Sequence, residues 1–308
     1  MTAALGAPAH RYYLFGLTID SDIGLPELVQ GDPDRKADVR VSKGPIDFGR
    51  DLEEGVHAVD DGMMLVVPDV ARFFVSGGST ILVDAEAEVP AENVRVFLLG
   101  SAFGLLLHQR GILPLHANAV VIDGHAYVFM AESGGGKSTL AAWFQDQGYA
   151  LLTDDVAAIG RNDAGNPVVF PGVMRLRLWR DALEASGRDT VDFRRSFKGE
   201  TTYEKYDVPV SETAKADRAY ALGGIYILNR GDSFRIQAIH GVDAVHALFE
   251  HSYRGGFVYD VGAEREHFSE CVRIAKSIMI HEVFFTGRLE ALADEALSVI
   301  GHLSDKDD

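Results

Sequence analysis

The sequence predicts an α/β protein in which a β-rich N-terminal domain (residues 1–90) precedes a phosphate-loop core covered by C-terminal helices (residues 91–308). Three observations carry this. Ala131-Glu132-Ser133-Gly134-Gly135-Gly136-Lys137-Ser138-Thr139 fits the phosphate-loop pattern at every position but the first, where alanine replaces glycine. Asp154-Asp155 closes an apolar stretch sixteen residues after Ser138. Near Pro90 the pattern changes from short alternating runs to longer apolar and helical ones.

Residues 12–85 read as strands. Tyr12–Ile19, Val39–Val41, Met63–Val67, Phe73–Val75 and Thr80–Val83 are rich in branched and aromatic residues, with turn signals such as Asp60-Asp61-Gly62 and Gly77-Gly78 between them. Asp20–Lys36 reads as loop. Asn93–Gln109, apolar on most faces, is a buried helix stopped by Gly111 and Pro114. Leu115–Ile122 and Ala126–Met130 are strands joined by Asp123-Gly124. The second of them feeds the glycine-rich loop, and Leu140–Phe144 begins the helix beyond it. Ala150–Thr153, Val156–Ile159 and Val168–Phe170 continue the β pattern. Leu178–Ser186 reads as helix and the polar stretch Asp189–Asp207 as a mobile loop. Leu222–Leu228 and Phe234–Ile239 read as a hairpin. Val242–His251, His267–Ile278 and Leu289–Leu303 read as helices, with His281–Phe285 a strand between the last two and Ser304–Asp308 a frayed tail.

At 308 residues the chain can bury a substantial core, and its 47% hydrophobic and 24% charged residues are those of an ordinary soluble globular protein. Lys+Arg 29 against Asp+Glu 46 gives a net charge of −17, which argues against nucleic-acid and anionic-membrane binding and favours encounter with basic partners. Cys271 is the sole cysteine, so an intrachain disulfide and a cysteine metal cluster are excluded, as suits a reducing cytoplasm. Met1–His10 lacks the pattern of a signal peptide, and Val96–Leu107, interrupted by Gly100, Ser101 and Gly104, falls short of a membrane span. A cytoplasmic location is expected.

In a phosphate loop, glycines let backbone N–H groups converge on phosphate oxygens, and the following helix N-terminus adds partial positive charge. Ser133, Gly134, Gly135, Gly136, Lys137, Ser138 and Thr139 are the expected cradle. Lys137 would reach the β- and γ-phosphates of ATP, and Ser138 would ligate Mg²⁺. Asp154 and Asp155, relaxed from strict strand alternation at a strand end, can divide metal binding and proton acceptance between them. Arg175, Arg177 and Arg254 are candidates for neutralising phosphate or clamping a peptide carboxylate. Lys198 and Lys205 could close over nucleotide, whereas Trp143 and Trp179 read as packing residues.

Leu115-His116-Ala117-Asn118-Ala119-Val120-Val121, the loop at 131–138 and Leu151-Leu152-Thr153-Asp154-Asp155 together resemble the catalytic core of HPr kinase/phosphorylase. In that family a histidine, a loop of the form G-x-S-G-x-G-K-S and an Asp-Asp pair follow in this order; Ser133 matches the loop's distinguishing serine. The resemblance covers roughly residues 113–160 and implies an HPr kinase-like core with a mixed β-sheet, related to phosphoenolpyruvate carboxykinase. It implies Asp154 as general base on a substrate serine, Asp155 and Ser138 at Mg²⁺, Lys137 at the transferred phosphoryl group, and His116 orienting the acidic pair. Ala131 departs from the family glycine, a difference bearing on affinity more than on function. Pro171–Trp179, His251-Ser252-Tyr253-Arg254 and His281–Leu303 are similar to the HPr-kinase-related proteins encoded with lasso-peptide precursors. Those are kinases of a serine at the precursor's tail. The bifunctional enzyme is hexameric, so a homo-oligomer is among the assemblies the resemblance implies, though the shared core does not require it.

The leading expectation is thus an ATP- and Mg²⁺-dependent serine kinase whose partner is a peptide or small protein. A kinase of a small-molecule hydroxyl or of an HPr-type protein, and a nucleotide-gated binding module, remain open alternatives. The second carboxylate discriminates, because a switch module has less need of a base.

Overall fold

Turn residues decide where the N-terminal runs break. In the computed structural model, which describes residues 9–185, 188–198 and 204–304, the run over 12–19 folds back on itself. Phe15 (φ 53°) and Gly16 (φ 73°) make a two-residue left-handed turn, dividing the run into β1 (His10–Leu14) and β2 (Leu17–Ser21). A side chain at Gly16 would stand 2.4 Å from the Phe170 ring, so the turn is also a contact with the C-terminal part of the chain. β3 (Val29–Gln30), β4 (Val39–Lys43), β5 (Gly55–Val59), β6 (Gly62–Val67), β7 (Ala71–Ser76) and β8 (Thr80–Ala85) complete an eight-stranded sheet. Its order is β3-β1-β2-β4-β8-β7-β6-β5, and the β2–β4 and β4–β8 pairs are parallel. The stretch Asp20–Lys36, read as loop, carries the two-residue β3, and β5, whose His57 and Gly55 weaken its apolar signal, has no counterpart in the sequence pattern.

The buried helix expected over 93–109 forms as α1 (Ala91–Phe97), a π-helical turn (Leu98–Ala102) and α2 (Phe103–Gln109) in direct succession. Leu98, Phe103 and Leu106 pack against Ile19, Val41, Phe73 and Ile81 in one core. Two glycines on this helix admit Tyr253: a Cβ at Gly100 would lie 2.9 Å from its hydroxyl and one at Gly104 3.3 Å from its ring.

The chain then supplies β9 (Leu113–Leu115), β10 (Ala117–Ile122), β11 (His125–Met130), α3 (Lys137–Asp146), β12 (Ala150–Thr153), β13 (Ala157–Arg161) and β14 (Pro167–Phe170). β15 (Leu176–Trp179), α4 (Arg180–Ala185), β16 (Arg194–Arg195) and β17 (Lys205–Val208) follow, and β15, β17 and β16 form a three-stranded sheet. The eleven-residue β18 (Tyr220–Arg230), β19 (Arg235–Ile239) and, after α5 (Gly241–Glu250), α6 (Phe257–Asp260) and α7 (Glu264–Ser277), β20 (Ile280–Phe285) return to the main sheet. α8 (Leu292–Ser304) ends the described chain. The main sheet is mixed: β18 runs parallel to both β11 and β20 and antiparallel to β14.

Four local expectations are corrected. The strand over 115–122 breaks at His116, so β9 pairs with β13 while β10 pairs with β11 and β12. The helix over 178–186 is strand through Trp179 and helix only from Arg180, because buried Leu176 and Leu178 alternate on β15. The loop over 189–207 carries β16 and the start of β17, and residues 199–203 lie outside the described ones. Finally, β18 and β19 are not hairpin partners, since β20 inserts between them and pairs with both. Among the described residues no helix is long and apolar enough to cross a membrane.

Candidate functional site

β11 delivers the chain into residues 131–136 and α3 takes it away, the strand–loop–helix order that the glycine-rich motif requires. Gly134 (φ 78°) and Gly136 (φ 91°) are left-handed, and Gly136 caps α3. Gly135 is needed for a different reason. A Cβ there would meet the Ala131 Cβ at 2.7 Å and the Glu132 carbonyl at 3.0 Å. Ala131, the alanine in the glycine position, therefore packs directly beneath the loop and is fully buried. Lys137 Nζ donates to the Ala131 carbonyl at 2.5 Å and lies 3.5 Å from the Glu132 carbonyl. Burial lowers its pKa from the ordinary lysine value, opposed by the charge of Asp155.

The acidic pair ends β12. The Arg177 N–H donates to Asp154 Oδ2 at 2.8 Å, and the Arg177 guanidinium donates to Asp155 Oδ2 at 2.6 Å. His116, at the break between β9 and β10, places Nδ1 3.4 Å from Asp155 Oδ1 and 3.2 Å from its carbonyl. Asp155 is left-handed (φ 76°), and both carboxylates accept from the same residue, Arg177. The two surroundings pull in opposite directions. Burial pushes Asp154 up to about 6 despite Arg177. Burial also works to raise Asp155, but Arg177, His116, Lys205 and Lys137 outweigh it and hold Asp155 below its usual value. His116 is lowered by burial, against the pull of Asp155.

These groups converge on a cavity of about 390 Å³ walled by residues 132–139, His116, Asp154, Asp155 and Lys205, a volume that suits a small-molecule ligand. Thr139 and all the loop positions expected to bind nucleotide are on its wall. The three arginines are not. Arg177 stands behind the acidic pair, and Arg175 is paired at 3.5 Å with both Glu27 and Asp207. Arg254 faces a neighbouring cavity. Lys198 is drawn off by Glu92 at 2.8 Å. Among the described residues no three His, Cys, Asp or Glu side chains are grouped to hold a metal unaided. Ser138 and Asp155, on the same wall, are side chains chemically able to hold a Mg²⁺ together with phosphate oxygens.

The sequence reading missed the far end of the cavity. Trp179, assigned to packing, lines it, with Lys205 Nζ 5.1 Å from its ring centroid. Leu228, Asn229 and Arg230 at the end of β18, with Phe285 at the end of β20 and Arg288 beyond it, line the same cavity. Asn229-Arg230-Gly231-Asp232 carries a turn signal that masked this role, and only the β18–β20 pairing brings the two strand ends together. Trp143 packs against Phe144, as expected of a packing residue.

No family model and no curated protein matches this chain. Among solved structures, the HPr(Ser) kinase/phosphatase from Coxiella burnetii is similar over 63% of this chain and 98% of its own, at 13% identity and a TM-score of 0.29.

Proposed function

We propose that this chain is an ATP-dependent kinase that phosphorylates a serine hydroxyl of a peptide or small protein, the tail serine of a lasso-peptide precursor being the specific acceptor suggested by its later motifs. The observation that carries the reading is one cavity holding a glycine loop at a helix N-terminus, a buried lysine, a metal-competent serine and two carboxylates of opposed acidity. A binding module needs only a metal-holding carboxylate, whereas a kinase also needs one to accept the hydroxyl proton, and Asp154 lies on the same wall as Asp155.

In this mechanism the loop amides and Lys137 hold the triphosphate. Bound Mg²⁺ neutralises phosphate charge, and Ser138 and Asp155 are the side chains that would hold it. Asp154 accepts the proton as the serine oxygen attacks the γ-phosphorus; the new O–P bond forms as the β–γ bridging bond breaks, and ADP leaves with the electron pair. His116 positions Asp155, and Arg177 keeps both carboxylates in place.

Mass spectrometry of serine-ended peptides and an HPr-type protein incubated with the enzyme, ATP and Mg²⁺ tests this, with Asp154→Asn as control. A gain of phosphate on a peptide serine, absent with the variant, is expected. ATP binding with no phosphate on any acceptor would sink the peptide-kinase reading.

A further inference from the structure

A second cavity of about 630 Å³ shares His116, Glu132, Ser133, Asp155 and Lys205 with the nucleotide cavity. Two cavities meeting at the same wall give two approaches to one reacting centre. Asp154 is on the wall of the first cavity and not of the second, whereas His116 and Asp155 are on both. What the second cavity has and the first lacks is Ala131 and the segment from Glu250 to Arg254. That segment is pinned on several sides. The His116 N–H donates to the His251 carbonyl at 2.7 Å, and the Tyr253 N–H to the Pro114 carbonyl at 2.8 Å. Ser252 Oγ and His267 Nε2 are 2.8 Å apart, and His108 Nε2 is 3.1 Å from the Tyr253 carbonyl.

The outcome of this pinning is Arg254 in a left-handed conformation (φ 52°). Such backbone is disfavoured for a residue with a Cβ and persists where surrounding structure over-determines it. Asp155, across the same cavity, is held the same way. Arg254 also differs from the other two candidate arginines in the charges beside it. Arg175 and Arg177 are ion-paired to carboxylates. Among the described residues, Arg254 has the ring and hydroxyl of Tyr253 as its recorded neighbours and no carboxylate within ion-pair distance.

The geometry points to Arg254 as the residue that recognises a carboxylate on the acceptor, so that the acceptor is a hydroxyl-bearing peptide with a carboxylate close to the hydroxyl. This rests on the kinase reading and moves Arg254 from the nucleotide to the acceptor. A guanidinium fork matches a carboxylate in two parallel hydrogen bonds. A doubly charged phosphate fits less well, because Glu132, Glu250 and Asp155 line the same cavity and repel a dianion about twice as strongly. The carboxylate can come from a chain terminus or from an acidic side chain.

Three matched serine peptides separate these sources: one with a free terminal carboxylate beside the serine, one amidated, and one amidated with aspartate beside the serine. Arg254→Gly removes the guanidinium while easing the left-handed backbone, and Arg254→Asn, also tolerant of that conformation, is the second variant. The wild type is expected to use at least one carboxylate form about tenfold better in kcat/KM than the plain amide. Both variants should level that preference and leave Mg·ATP affinity within about threefold. Equal use of all three peptides by the wild type overturns the proposal, as does a preference that survives in the variants or a loss of nucleotide affinity instead. If no peptide is phosphorylated the kinase reading is at fault, and calorimetric titration of the same peptides then decides this one: Arg254-dependent binding of a carboxylate form upholds it, and equal or absent binding overturns it.

Discussion

Asp154 and Asp155 are neighbours in the chain whose surroundings drive their acidities apart, and this has consequences for both rate and stability. With Asp154 raised to about 6, transfer should rise with pH through that value and level off above it, in a pH–rate profile that Asp154→Asn abolishes. Between the ordinary aspartate value of 3.8 and about 6, the folded state keeps a proton that the unfolded chain has released. Stability therefore falls as pH rises through that window and stays lower above it. Asp154→Asn should consequently raise Tm near pH 7.5, by roughly 1–3 kcal/mol in stability, and leave it unchanged near pH 4. Mg·ATP affinity should change by no more than a few-fold in that variant, which separates the base from the metal ligand. Lys137→Ala tests the neighbouring role. It should weaken ATP binding at least about tenfold in a fluorescence titration, since it removes a charge-assisted contact to phosphate.

The loop at 131–136 works as one element because its glycines have different duties. Gly134 and Gly136 supply left-handed backbone, whereas Gly135 supplies room above Ala131. Gly135→Ala should cost about 1–3 kcal/mol of stability and weaken nucleotide binding. Adding Ala131→Gly removes the atom that would stand 2.7 Å away and should restore part of both losses, leaving the contact with the Glu132 carbonyl. A double-mutant cycle read by denaturant unfolding and ATP titration measures that coupling. α7 offers a second element-scale test. Burial depresses His267 to about 4, with a further push from His108. The unfolded chain takes up that proton first, so this contribution to stability is complete above about 6.5 and is lost as pH falls towards 4. His267→Gln should flatten the stability profile between those values.

On the scale of the whole molecule, the N-terminal sheet and the helix after it share one core, in which Ile19, Phe73 and Ile81 meet Leu98 and Phe103, with Val156 and Tyr253 from farther along the chain. Glu27 ties the same regions electrostatically, at 2.8 Å from Arg95 and 3.5 Å from Arg175. The full chain should therefore unfold in a single calorimetric transition, and a fragment spanning 91–308 should bind ANS and aggregate because it exposes half of that core. Sequence alone determined what depends on spacing along the chain: the strand–loop–helix around Lys137, the acidic pair at a strand end, and the helix after residue 90. These are local because a glycine's φ, a helix's period and a strand's alternation act over a few residues. Tertiary structure decided the rest. It broke the strand at His116 so that the imidazole turns to Asp155, and inserted β20 between β18 and β19 so that two strand ends line the cavity. It also sorted three arginines that look alike in sequence, sending Arg175 to Glu27, Arg177 to the acidic pair and Arg254 to a separate cavity. A guanidinium's role is set by the charges that packing places beside it, and those come from residues far away in the chain.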